Sequence, residues 1–140
     1  MSLDNKPTYS GGCQCGAVRF HVEGPLGDAS ICHCRMCQKA FGAFYAPPVS
    51  ARGAKLTWTR GEPKRFQSSN FVMRGFCADC GTQLFSEAEQ RPHLIIVRNG
   101  ALDDTGLMAP GATIWTSQAP EWAWIDATLP RHAGQPPPVA

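Results

Sequence analysis

A chain of 140 residues has the size of one domain with a modest core. Hydrophobic residues make up 43% and charged residues 17%, so it is expected to fold, and a net charge of +2 gives no footing for nucleic acid or a membrane surface. No apolar run approaches the roughly 20 residues that span a bilayer, and Met1–Pro7 shows no apolar signal region; a cytoplasmic protein is expected.

In chain order, the first feature is Cys13-Gln14-Cys15-Gly16. Ala17 to Val22 then alternates as a strand, with Val18, Phe20 and Val22 on one face. Cys32-His33-Cys34-Arg35-Met36-Cys37 follows, running into a short helix over Arg35–Phe41. Leu56–Thr59, Phe71–Met73, Gln83–Phe85 and Leu94–Val97 are further strands, with Gly and Pro ending most runs early. Cys77-Ala78-Asp79-Cys80-Gly81 lies between the second and third of these. Asn99-Gly100 reads as a hairpin turn. A first unit over 1–131 and a Pro-rich tail over 132–140, expected to be disordered, complete the chain. Trp58, Trp115, Trp122 and Trp124 read as core residues, as do Phe41, Phe44 and Tyr45 beside the middle cluster.

Seven cysteines cannot all pair within one chain, and cytosolic thiols stay reduced, so the clusters read as metal ligands. In Cys13-x-Cys15 on extended backbone both sulfurs share a face. Cys77-x-x-Cys80-Gly81 has the form of a zinc knuckle, and Gly16 and Gly81 allow the positive φ such turns need. These four thiolates complete a tetrahedron and leave no room for substrate, which predicts a structural zinc worth on the order of 10 kcal/mol to folding. Cys32, Cys34 and Cys37 leave a second zinc one ligand short, open to an incoming thiol. His33 would complete it only by turning against its extended neighbours; His21, His93 and His132 are the other candidates.

Three segments carry a family resemblance: Gly12–Phe20, Cys32–Lys39 and Phe76–Leu84, in this order, with looser similarity through Ile114-Trp115 and Pro120-Glu121-Trp122 to Leu129-Pro130. They resemble the glutathione-dependent formaldehyde-activating family, which includes the centromere-protein-V-like domains. The resemblance implies an all-β fold, a β-tent of small antiparallel sheets stapled by zinc with one short helix. It implies two Zn²⁺ per chain, a structural ion on Cys13, Cys15, Cys77 and Cys80 and a catalytic ion on Cys32, Cys34 and Cys37. Many relatives carry a histidine just before the Ile-Trp pair, where this chain has Thr113.

The activity implied is that of a carbon–sulfur lyase joining a small thiol such as glutathione to a small aldehyde such as formaldehyde. Cations near the open cluster would bind glutathione's carboxylates; Arg35 and Lys39 are nearest in sequence, with Arg74 and Arg98 more distant. The alternative is a non-catalytic zinc module that binds a partner protein. Thiol redox chemistry ranks last, because no cysteine follows Cys80.

Overall fold

The structure is a computed structural model in which the described residues are 8–137; the readings of Met1–Pro7 and of the last three tail residues lie outside them. The strands are β1 (Thr8–Gly12), β2 (Arg19–Glu23), β3 (Ser30–Cys32), β4 (Pro48–Arg52), β5 (Leu56–Arg60), β6 (Lys64–Gln67), β7 (Val72–Phe76), β8 (Gln83–Ala88), β9 (Leu94–Arg98) and β10 (Ala112–Ile114). Among the described residues one α-helix, α1 (Arg35–Phe41), interrupts them. The class is all-β, as expected, in small sheets of the β-tent kind.

The strands form a three-stranded sheet β1-β2-β5, a five-stranded sheet β4-β9-β8-β7-β6 and a pair β10-β3. All pairings are antiparallel except β3 with β10, whose Cys32 lies opposite Ile114. The alternation read in β2 is what buries Phe20 and Val22, with Val18 just before them. They meet Val49, Leu84, Phe85, Val97 and Leu102 in the main core. Each such side chain contributes about 1.5–3 kcal/mol by leaving water. Trp58 packs edge-on against Phe20 at 5.8 Å between centroids and lies 5.5 Å from Phe85. A smaller cluster of Cys32, Cys37, Ala46 and Ile114 sits apart, with Phe41 and Trp115 against it.

β9 is buried at every position because it lies between β4 and β8 within the largest sheet, with Ile95 and Val97 in the main core and Leu94, Ile96 and Arg98 on the wall of a cavity. β7 carries a glycine for a packing reason. Gly75 pairs with Phe85 across the β7–β8 ladder, and a Cβ there would lie 1.9 Å from the Phe85 ring. Gly75→Ala is therefore expected to destabilise the fold by about 1–3 kcal/mol. Gly75→Ala combined with Phe85→Leu should recover part of that loss in urea unfolding; an unchanged midpoint in the single variant would contradict the close approach.

Three expectations need correction. Asn99–Ala101 forms a 3-10 turn rather than a hairpin, and the chain runs on to Leu102, which bridges to Gly11. Trp122 and Trp124 are 62% and 81% exposed, not core residues. They join the half-buried Phe44 and Tyr45, the latter itself 38% exposed and not the core residue expected, in an edge-to-face aromatic group. The beginning of the Pro-rich tail is also held in place. The amides of Trp115, Thr116 and Ser117 donate to the carbonyls of Gly134, His132 and Ala133, and Trp115 Nε1 donates to Gln135 Oε1 at 3.1 Å.

Candidate functional site

The sulfurs of Cys13, Cys15, Cys77 and Cys80 lie within 4.8 Å of one another. Two paired turns bring them there. Gly16 N–H donates to Cys13 O and Gly81 N–H to Cys77 O, and both glycines have φ +81°, the left-handed value that favours glycine. Val18 N–H also donates to Cys13 Sγ at 3.2 Å. Gln14 N–H donates to Thr82 Oγ1, locking one turn against the other. A hydrogen bond with the Thr82 hydroxyl, then the Thr82 amide, pulls the Cys80 thiol down to about 5. The donor set fits zinc on distance: tetrahedral bonds of about 2.3 Å require sulfurs about 3.8 Å apart. Cys13–Cys15 and Cys15–Cys77 separations are 3.6 and 3.8 Å.

Cys32, Cys34 and Cys37 form the second group, also within 4.8 Å, and among the described residues no histidine, carboxylate or further cysteine joins them. Cys32 ends β3. Cys34 is the N-cap of α1, and its sulfur accepts from Cys37 N–H at 3.3 Å. One helical turn then carries Cys37 back to the same point. This set too could hold a metal. Hydrogen bonds from the Cys32 and Cys34 thiols, and then the guanidinium of Arg74, draw the Cys37 thiol far below its ordinary range. Arg74 Nη2 lies 3.6 Å from Cys37 Sγ.

The four histidines divide differently. His33 is fully buried and faces away, with Nδ1 donating to Phe44 O at 2.8 Å. His21 pairs with Ser10, and neither it nor His93 belongs to either cysteine group. His132 lines the cavity described next without joining the three sulfurs. Thr113, at the position where many relatives have histidine, is buried with its hydroxyl unpartnered.

The three cysteines open into a cavity of about 720 Å³, while none of the first four lines it. β3, β7, β8, β9 and β10 contribute to its walls, and Trp115, Gln135 and Pro136 lie along the C-terminal segment. Among the described residues its arginines are Arg74, Arg91 and Arg98, against one acid, Asp28. Arg74 and Arg98 are each only 3% exposed. Arg74 Nε donates to Ser68 Oγ at 2.9 Å. Burial, then the charge of Arg74, lowers Arg98 to about 10. Arg35 and Lys39, favoured by their nearness in sequence, are exposed and do not line the cavity. Arg35 instead reaches Gln38 on its own helix. The signal for the buried pair was present: Arg74 and Arg98 each directly follow an apolar strand run, Phe71–Met73 and Leu94–Val97.

Comparison with known proteins gives a consistent picture. The profile described as "Glutathione-dependent formaldehyde-activating enzyme" matches residues 8–118. An uncharacterized lyase of Schizosaccharomyces pombe is 32% identical over 86 residues, covering 56% of this chain and 57% of the relative. This chain thus spans little more than half of that relative's length. A crystal structure of a Rhodobacter sphaeroides protein aligns with a TM-score of 0.57 at 27% identity, over 67% of this chain and 87% of that one.

Proposed function

This chain belongs to the glutathione-dependent formaldehyde-activating enzyme family, and from that premise we propose that it joins a small thiol, glutathione by family likeness, reversibly to formaldehyde or a similar small aldehyde. In reverse the reaction is a carbon–sulfur lyase step. The observation that carries this reading is the pairing of an incomplete three-thiolate set with a cavity of about 720 Å³.

The residues divide the work. Cys13, Cys15, Cys77 and Cys80 would hold a structural zinc that joins the two glycine turns. Cys32, Cys34 and Cys37 would hold the catalytic zinc. When bound there, zinc supplies the positive charge that keeps an incoming thiol ionised near neutral pH. Cys34 is fixed by the start of α1 and Cys37 by Arg74, so the receiving set is oriented before substrate arrives. Met36, Ile114 and Trp115 offer apolar wall beside it, which limits water around the reacting atoms. The thiolate sulfur forms a bond to the carbonyl carbon as the C=O π bond opens. The proton lost by the thiol ends on the new hydroxyl, so no oxidant or reductant is consumed. A cytoplasmic setting suits this chemistry, because both the ligands and the substrate must remain reduced.

Zinc-loaded protein is expected to accelerate exchange between glutathione and its hydroxymethyl adduct, measured as exchange broadening in NMR spectra of the equilibrium mixture. Unchanged exchange rates would remove the enzymatic reading. A second reading, a non-catalytic zinc module, is favoured by one observation: Trp122 and Trp124 stand exposed beside Phe44 and Tyr45 as a surface suited to a protein partner. A second zinc held by four protein ligands and indifferent to added thiols would support it instead.

A further inference from the structure

Arg98 is an unusual buried cation. Its guanidinium carbon lies 5.1 Å from the centroid of the Phe41 ring, so one face of the group is covered. Its Nε and Nη2 atoms are buried and have no hydrogen-bond partner. These two donors share one edge of the guanidinium, the edge that grips a carboxylate with two parallel bonds. Arg74 adds a third unpartnered donor, Nη1, while its other groups are engaged by Ser68 and Cys37. Buried donors left without partners ordinarily cost about 1–3 kcal/mol each, so three of them on two arginines of one cavity wall call for an explanation.

The charges of Cys37, Cys32 and Cys34 favour a cation at Arg98, but they leave its donor edge without a partner. It is Arg74 that meets a thiolate directly, through Nη2. Arg98 has no sulfur or carboxylate at its free edge. The cavity lining also carries a cationic excess, with Arg91 as the third arginine and Asp28 as the one acid among the described residues.

We propose that the free edge of Arg98, backed by Arg74 Nη1, is a carboxylate subsite, so that a reactant is docked by a carboxylate close to the carbon or sulfur that reacts at Cys32, Cys34 and Cys37. This deepens the thiol–aldehyde reading and rests on it for the identity of the reacting group. The carboxylate can belong to the thiol, as in the glycine end of glutathione or in mercaptoacetate. It can equally belong to the aldehyde, as in an oxo acid such as glyoxylate. Formaldehyde offers none, so a formaldehyde reaction would depend on the thiol for this contact.

The test is calorimetric titration of the full, zinc-loaded chain with matched probes. Mercaptoacetate is expected to bind about tenfold or more tighter than 2-mercaptoethanol, the factor that a charge-assisted bidentate pair provides. Glutathione should likewise exceed its glycine ethyl ester. In Arg98→Met that preference should fall to within about threefold, with zinc content and 2-mercaptoethanol affinity unchanged; Arg98→Lys should be intermediate. Acetate and glyoxylate, titrated without thiol, isolate the subsite. If they bind through Arg98 while neither thiol binds, the subsite stands and the thiol reading falls. If only glyoxylate and acetate depend on Arg98, the carboxylate is the aldehyde's. Equal affinity for mercaptoacetate and 2-mercaptoethanol in the unaltered chain, with no binding of acetate or glyoxylate, overturns the proposal even if Arg98→Met fails to fold.

Discussion

Replacing Cys77 by serine is expected to unfold the protein. Cys77 is 1% exposed and lies in the main core beside Cys13, Leu84 and Phe85. Its carbonyl accepts from Gly81 N–H at 2.8 Å, and its amide donates to Thr82 O at 3.0 Å, so its place is fixed on both sides. Its sulfur sits 3.8 Å from that of Cys15, which is 62 residues away in the chain. A zinc there would cross-link the end of β1 to the turn between β7 and β8. Structural zinc contributes about 10–16 kcal/mol to the folding of small metallodomains. Whole domains are stable by only about 5–15 kcal/mol. Serine keeps the size of the side chain but is not ionised near neutral pH, so it removes a thiolate ligand and leaves a hydroxyl buried in an apolar cluster. Circular dichroism should show loss of the cooperative thermal transition, or a midpoint lower by more than about 15 °C. A strong zinc chelator should have the same effect on the unaltered chain. A transition within a few degrees of the unaltered chain would mean that this cluster does not hold the fold together.

The clusters were legible in the sequence because ligand spacing is a local property. Cys13 and Cys15 are brought together by a turn closed by Gly16 and not by the extended backbone expected of them, whereas Cys32 and Cys34 share a face of extended backbone and Cys37 follows Cys34 by one helical turn, as read. The same holds for α1, whose span matches the reading, with Gly42 taking the left-handed C-cap at φ 60°. β2, β5, β7, β8 and β9 were legible where apolar residues alternate or run together. β6 was not, because all four of its residues are exposed and carry no pattern. β1 was hidden by its glycines. Gly11 is there because a Cβ would lie 2.3 Å from Ala101 O, a contact that no local rule announces. The arginines show the same limit at the site. Arg35 and Lys39 are near the cluster along the chain, yet α1 turns them outward to solvent. Arg74 and Arg98 come from two strands of the five-stranded sheet that only its pairing places beside Cys37.

Cys34→Ser is expected to abolish the chemistry while leaving the fold in place. Cys34 caps α1, with φ −61°, ψ 149° and its sulfur accepting from Cys37 N–H. Serine is among the best residues at that position, so the hydroxyl can take over the cap and the helix should persist. The same hydroxyl is a poor zinc ligand, and two thiolates do not make the three-ligand set that a catalytic site requires. The second cluster also lies apart from the main core, in a smaller group with Ala46 and Ile114, so losing its metal should not spread to Phe20, Phe85 and their neighbours. Metal analysis should fall from two zincs per chain to one, with a thermal midpoint within a few degrees. Thiol–formaldehyde exchange should fall by about a hundredfold or more, because removing the metal withdraws several kcal/mol of charge stabilisation. Because the cap survives, this substitution separates metal loss from helix loss in a way that alanine does not. Retention of both zincs with normal exchange would show that the three cysteines are not the reacting centre. An unfolded Cys34→Ser chain would show instead that the second cluster, too, holds the structure together, and the division between a closed site and an open one would fail.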